Sequence, residues 1–233
     1  MGVSCTRGLR EGDFLFQNLE ASTLGDAIEQ VTEGHFSHCG MVVRVGRGGG
    51  GGRSGGDSRG GYSRGGGRLG EGALTGEGLG CGSRGGDSLA VVEAFGDSVQ
   101  VTPLATFYAR SAEGGVVAMR LKRKYRPLIP AAVAFALSQR EVPYDHAYML
   151  DNGRWYCSEL LTEAFPLGLF PYQPMTFKDP GTGAFLPAWE AHYAQLGIPI
   201  PEGALGNNPN SLYAAKVWRS ARYPSPKRAT TLF

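Results

Sequence analysis

Cysteine is scarce in this chain: Cys5, Cys39, Cys81 and Cys157 are spread over 233 residues. None forms a C-x-x-C pair and no spacing fits a zinc template, so neither a disulfide framework nor a structural metal is expected. Such usage fits a reducing compartment. Net charge is nearly absent, at +2, and residues 46–88 hold six of the 23 basic and four of the 21 acidic residues, leaving the remainder balanced. A balanced surface lacks the footprint of a nucleic-acid binder, and no such partner is expected for the ordered part. No apolar run reaches the ~20 residues of a spanning helix, and no apolar leader opens the chain. A cytoplasmic location is the expectation. Histidine is rare too, with His35, His38, His146 and His192 the whole supply.

Glycine is abundant and concentrated. Residues 46–88 hold 21 of the 37 glycines, with Ser-Arg-Gly-Gly at 58–61, 63–66 and 83–86. No packed core tolerates that, so the tract reads as a disordered Gly/Arg/Ser-rich insertion within a single domain spanning 7–220. Arg-Gly-Gly repeats can bind RNA weakly, but a solvated insertion is the simpler reading. Doubling a surface loop costs only about 0.6 kcal/mol. Residues 221–233 carry Arg222, Lys227, Arg228 and two prolines and read as a mobile basic tail. Met1-Gly2-Val3-Ser4-Cys5-Thr6 fits the N-myristoylation pattern at Gly2, with Cys5 available for a second acyl chain. These two ends leave peripheral membrane contact open.

Between them the chain alternates strand and helix signals. Gly12-Asp13 is a turn entering an apolar strand, Phe14 to Gln17. Ser22 can cap a helix whose apolar face is Leu24, Ala27, Ile28 and Val31, with Gly34 ending it. Residues 39–45 and 89–95 read as buried strands flanking the insertion, and 97–101 and 116–121 as further strands. Thr102-Pro103 is an N-cap followed by proline at the first position of a helix over 103–110. Residues 127–140 and 184–196 read as helices, the latter closed by Gly197. Val142 to Asp145 and Asn207 to Asn210 read as turns.

Chemistry centres on Cys157. Leu160, Leu161, Ala164 and Phe165 recur at helical spacing until Pro166, which puts Cys157 at the helix N-terminus. Unpaired backbone N–H groups and the positive end of the macrodipole favour thiolate there. A thiolate nucleophile needs a base, and His38 stands at the mouth of the 39–45 strand. Antiparallel pairing across the insertion puts position 93 opposite about position 41, and a small register change brings Glu93 beside His38. A carboxylate in an apolar strand demands a partner. Nucleophile, base and orienter are then Cys157, His38 and Glu93, the logic of thiol acyl transfer. A metal site from His35, His38, Cys39 and Cys157 is disfavoured, because adjacent strand residues point to opposite faces.

The strand histidine precedes the helix cysteine, the reverse of ordinary papain-like enzymes. In that order the chain resembles the circularly permuted papain-like amidases of the YaeF/YiiX group, within the NlpC superfamily. Six pieces carry the resemblance in sequence: Gly12-Asp13-Phe14-Leu15-Phe16-Gln17, Phe36-Ser37-His38-Cys39-Gly40-Met41, Val92-Glu93-Ala94, Thr102-Pro103-Leu104, Val142-Pro143-Tyr144-Asp145 and Tyr156-Cys157-Ser158-Glu159-Leu160. Gly197-Ile198-Pro199 and Pro209-Asn210-Ser211-Leu212-Tyr213 are similar to the family's C-terminal segment. Two departures stand out. The glycine tract lies where the family has a short hairpin connection, and the secretion signal of many relatives is missing.

The resemblance implies an α+β, permuted papain-like fold with a small antiparallel sheet packed on the nucleophile helix. It implies His38 and Cys157 as the catalytic pair, Glu93 as the third polar residue, Tyr144 as a tyrosine beside the site, and no cofactor. Tyr144 and the Cys157 backbone N–H are then the groups for the oxyanion. Related lecithin–retinol acyltransferase-like proteins act on acyl lipids, so a small-molecule, peptide or acyl-lipid amide or ester is the substrate class. Two alternatives use the same fold: an acyltransferase with the same thiol, and a non-catalytic acyl- or lipid-binding module.

Overall fold

The computed structural model describes residues 8–46 and 87–223. Most of the glycine tract, Gly2, Cys5, Cys81 and residues 224–233 lie outside the described residues. Gly46, Asp87 and Ser88 belong to strands rather than to the insertion. Among the described residues no helix is long and apolar enough to cross a membrane.

The first strand, β1 (Phe14–Leu19), follows the turn at Asp13. Asp13 is buried and accepts from the Arg120 guanidinium at 2.7 and 2.6 Å, a pairing that makes its burial tolerable. Ser22 caps α1 (Thr23–Val31), its hydroxyl accepting the Gly25 N–H at 2.9 Å. Gly34 was expected to end this helix through a left-handed backbone, but Glu33 takes the positive φ, 47°. What Gly34 provides is room: the Asn210 side chain fills the space of any Cβ there. Asn210 Oδ1 accepts the His35 and Phe36 N–H groups, both at 3.0 Å, and so fixes the entry to the next strand.

That strand is β2 (His38–Gly46); β3 (Asp87–Phe95) and β4 (Ser98–Pro103) follow. The helix expected at 103–110 is α2 (Leu104–Ala109), and it starts without a side-chain cap. Thr102 stays in β4, where it pairs with Val91 and stands diagonal to Glu93. Next come β5 (Ser111–Leu121), a 3₁₀ turn over Arg123–Leu128, and α3 (Ile129–Ser138). The C-terminal part holds α4 (Cys157–Glu163), β6 (Gln173–Pro174), α5 (Pro187–Leu196), β7 (Leu205–Gly206), α6 (Pro209–Ala214) and β8 (Trp218–Tyr223). Gly197 closes α5 at φ 68°, the left-handed cap expected of it.

Six strands form one sheet in the order β4-β3-β2-β1-β5-β8. The β8 edge corrects the tail boundary: Ala118 pairs with Tyr223 and Leu121 with Trp218, so 221–223 belong to the sheet. Phe14, Phe16, Met41, Val43 and Val92 line one face and pack on Leu160 and Leu161 of α4, Ala132 and Ala136 of α3, and Leu212 of α6. Leu160 and Leu161 are fully buried, each contributing roughly 1.5–3 kcal/mol by leaving water. The other face, with Leu15, Val42 and Val91, is covered by Phe107 of α2. Helix α4, with Cys157 at its head, therefore packs on the sheet that carries His38 and Glu93.

Candidate active site

Cys157 is the first residue of α4, and Tyr156 before it is extended. The strand-like approach is fixed by the segment expected to be a simple turn. Residues 142–144 run along the edge of β4, with Val99 N–H donating to Val142 O at 2.9 Å and Tyr144 N–H to Asp97 O at 2.8 Å. On its other side this segment holds Trp155, whose N–H donates to Pro143 O at 3.2 Å and whose carbonyl accepts from Asp145 N–H at 3.1 Å. The segment thus clamps the start of α4 against the sheet edge.

On β2, Gln17 of β1 pairs with His38 and Phe16 with Cys39. Gly40 abuts Val91 and Glu93 of β3. Faces alternate along each strand and directly opposed residues share one, so β3 is shifted by an odd number of residues from the register that would put Glu93 opposite Met41. The shift brings Glu93 Oε2 to 2.6 Å from His38 Nε2, with both side chains buried. Cys157 is the other group that acts on His38, raising it together with Glu93. With Nε2 taken by Glu93, Nδ1 is the nitrogen left for sulfur.

Two contributors were not foreseen. Arg110 Nη2 donates to both Glu93 oxygens, at 2.6 and 2.8 Å, while its guanidinium stacks 3.8 Å over the Phe95 ring. A lone arginine after a short helix gives no sequence signal that it will meet a strand 17 residues away. The second is Cys39, which lies in the same buried cluster as Cys157 and is the largest cause of its lowered pKa. Strand alternation was expected to turn His38 and Cys39 apart. Both nevertheless act on Cys157: Cys39 shares its buried cluster, and His38, the first residue of β2, is among the causes that lower it.

The electrostatics follow from these contacts. The Cys39 hydrogen bond does most to hold Cys157 well below the ordinary thiol range; burial opposes it, and the His38 imidazolium adds to it. Burial alone would push His38 down, but hydrogen bonds to Cys157 and Glu93 and the charge of both carry it up to about 9. Burial would raise Glu93; His38, Arg110 and the Thr102 hydroxyl outweigh it and keep the carboxylate ionised. Cys39 is driven well above the thiol range by burial and by the neighbouring Cys157 charge, so it remains a donor. Charges alternate along the row: thiolate, imidazolium, carboxylate, guanidinium.

Tyr144 is half-buried and stands edge-on to Tyr148, 6.4 Å between ring centroids. The remaining histidines stand apart from this row: His35 is held through its backbone by Asn210, and His192 Nε2 meets His146 O at 2.7 Å. Cys157 opens on a cleft of about 750 Å³ whose walls include Tyr148, Tyr156, Leu169, Phe170 and Trp189.

A family model described as permuted papain-like amidase enzyme, YaeF/YiiX, C92 family, matches residues 8–221. No curated protein sequence matches the chain. Among solved structures, the chain is similar to one described as metalloprotein yiiX from Escherichia coli O157:H7, at TM-score 0.62 and 19% identity, over 94% of this chain and 98% of that one. Its metal is a property of that protein; among the described residues here no three His, Cys, Asp or Glu side chains gather as a ligand set. Fold, strand-borne histidine before helix-borne cysteine, and a match over nearly the whole chain lead to one assignment: the chain belongs to the C92 family of permuted papain-like amidases, the YaeF/YiiX group.

Proposed function

We propose that the protein is a thiol-dependent hydrolase that forms an acyl-enzyme on Cys157, with His38 as base and Glu93 as the residue that orients it. The observation that carries the reading is the row Cys157–His38–Glu93–Arg110, buried up to its half-buried guanidinium end, with Nε2 of His38 fixed 2.6 Å from Glu93. The thiolate attacks the carbonyl carbon of an amide or ester, and the carbonyl π pair moves onto oxygen. Tyr144 and the Cys157 backbone N–H are the positioning groups the sequence offers for that oxygen. On collapse the bond to the leaving group breaks and His38 delivers its proton. Water then clears the acyl-enzyme; an alcohol or amine acceptor would make the same site an acyltransferase.

The cleft supports an acyl lipid as the finer substrate class, since Leu169, Phe170 and Trp189 offer apolar walls next to Cys157. A series of p-nitrophenyl esters from two to twelve carbons tests both levels. Acylation of Cys157, seen as an equal mass gain lost in Cys157→Ser, is expected throughout, with kcat/KM rising with chain length. A flat series removes the acyl-lipid reading. Binding of long chains without acylation of Cys157 favours the non-catalytic module instead.

A further inference from the structure

Tyr148 has an unusual backbone for a residue of its size. It takes φ 54°, the left-handed region that a bulky L-residue rarely enters. The loop is forced into this shape. The Asp145 carboxylate accepts the Ala147 and Met149 N–H groups at 2.9 and 2.6 Å. From α5, the Tyr193 hydroxyl donates to Ala147 O at 3.1 Å. Strain of roughly 1–3 kcal/mol persists only where surrounding contacts over-determine it.

What the shape achieves is a position for one ring. Tyr148 packs against Tyr156 at 5.5 Å between centroids and edge-on to Trp189 at 5.6 Å. Tyr148, Tyr156 and Cys157 then share the wall of the same cleft, whereas Tyr144 is not part of that wall. Tyr144 instead stands edge-on to Tyr148 at 6.4 Å between ring centroids, and Tyr148 is among the causes that raise its phenol.

We propose that the Tyr148 hydroxyl is the side-chain donor to the tetrahedral oxyanion formed at Cys157, and that Tyr144 is a positioning residue acting through it. The inference rests on the hydrolase reading above. As the Cys157 sulfur bonds to the carbonyl carbon, the π pair becomes a lone pair on oxygen, and Tyr148 O–H donates a hydrogen bond without giving up its proton. When the carbonyl reforms and the leaving group departs with a proton from His38, that hydrogen bond weakens. Burial pushes the Tyr148 phenol up to about 12, so it keeps its proton throughout the working range.

The test separates oxyanion formation from thiolate reactivity. Acylation by p-nitrophenyl acetate passes through a tetrahedral oxyanion, whereas alkylation by iodoacetamide is a direct displacement at carbon and forms none. Tyr148→Phe is expected to lower kcat/KM for the ester about 10²-fold, mainly in kcat, as removal of one oxyanion donor does. Its iodoacetamide rate at Cys157 should stay within twofold of wild type. Tyr144→Phe should lose about tenfold on the ester with alkylation again unchanged, and it decides the matter if Tyr148→Phe does not fold. Equal loss in both reactions means a structural role and overturns the proposal. So does ester turnover within twofold of wild type in Tyr148→Phe, or in Tyr144→Phe if that variant alone folds. Wild-type protein that is alkylated but never acylated removes the hydrolase reading itself, a different result from either.

Discussion

Gly40→Ala tests how the sheet holds Glu93 against His38. Gly40 lies two residues after His38, and Val91, Glu93 and Phe107 around it are fully buried. A Cβ at 40 would fall well inside contact with Val91 Cγ1, 3.2 Å from a Phe107 ring carbon and 3.3 Å from Glu93 Cβ. Carbons pack at roughly 3.5–4 Å, so Val91 must retreat by about 1 Å. Overpacking of this kind costs roughly 1–3 kcal/mol. At about 2–4 °C per kcal/mol for a domain this size, melting should fall by roughly 2–12 °C. The functional loss is expected to be larger, because β3 carries both the obstructed Val91 and the carboxylate whose 2.6 Å bond sustains the imidazolium. Iodoacetamide alkylation of Cys157 at pH 6 should slow severalfold. Val91→Ala removes the obstructing methyl, so the double variant should lose at least about 1 kcal/mol less than the sum of the two single losses. Additive losses, or a Gly40→Ala protein melting within 1 °C of wild type, would refute the claim that this contact sets the spacing of β2 and β3.

Glu93→Gln removes a charge that raises His38, so the alkaline limb of ester turnover should move down from about 9, and turnover should drop by roughly 10²–10⁴; a pH–rate profile reads both, and an unmoved limb rejects the role. Cys39→Ala takes away the hydrogen bond that does most to depress Cys157, so the acid limb of the iodoacetamide profile should move to higher pH while the fold is kept; an unchanged limb would leave the helix start and His38 as sufficient causes. Glu159 is buried, and that burial raises its carboxyl to about 8, while its ordinary value is near 4.5. Its ionisation therefore costs stability progressively as pH rises from about 4.5 to about 8, on the order of a few kcal/mol in full. Glu159→Gln, which can still accept the Tyr156 N–H, should melt higher than wild type at pH 8 and nearly level with it at pH 4.5; equal melting at both would contradict the burial cost.

Where a local pattern carries the information, the sequence is a reliable guide to this fold. Ser22 before an apolar 3.6-residue period announces α1 and its cap, and Leu160, Leu161 and Phe165 before Pro166 announce α4 with Cys157 at its head. The two buried strands flanking the glycine tract are legible because every alternate position would otherwise strand an apolar side chain in water. Glu93 was legible for the opposite reason: a charge inside such a strand is intolerable without a partner, and few bases are available in the chain. Strand β8 was hidden because Arg219 and Arg222 look like a solvated tail, although an edge strand pairs only on one side and tolerates charge. Thr102 was misread for a related reason. Threonine before proline has strong helix-cap chemistry, but the ladder with Val91 holds it in β4, diagonal to Glu93.

The residues that surround Cys157 were the least legible, and the cause is sequence distance. Arg110 meets Glu93 only after a turn, a strand and a helix have folded back over the sheet face. Cys39 meets Cys157 across 118 positions of chain, and nothing in a lone strand cysteine distinguishes a packing residue from a hydrogen-bond donor. Yet both act in the same direction as the groups that were foreseen. Arg110 keeps Glu93 ionised, Glu93 keeps His38 cationic, and His38 with Cys39 keeps Cys157 anionic. Each member thus depends on the charge of its neighbour, and in a buried row an uncompensated member is expensive. It follows that neutralising either end should be felt at the other. Arg110→Met, which touches neither sulfur nor imidazole, should raise the Glu93 carboxyl and shift the acid limb of Cys157 alkylation, whereas a row of independent contacts would leave that limb where it is.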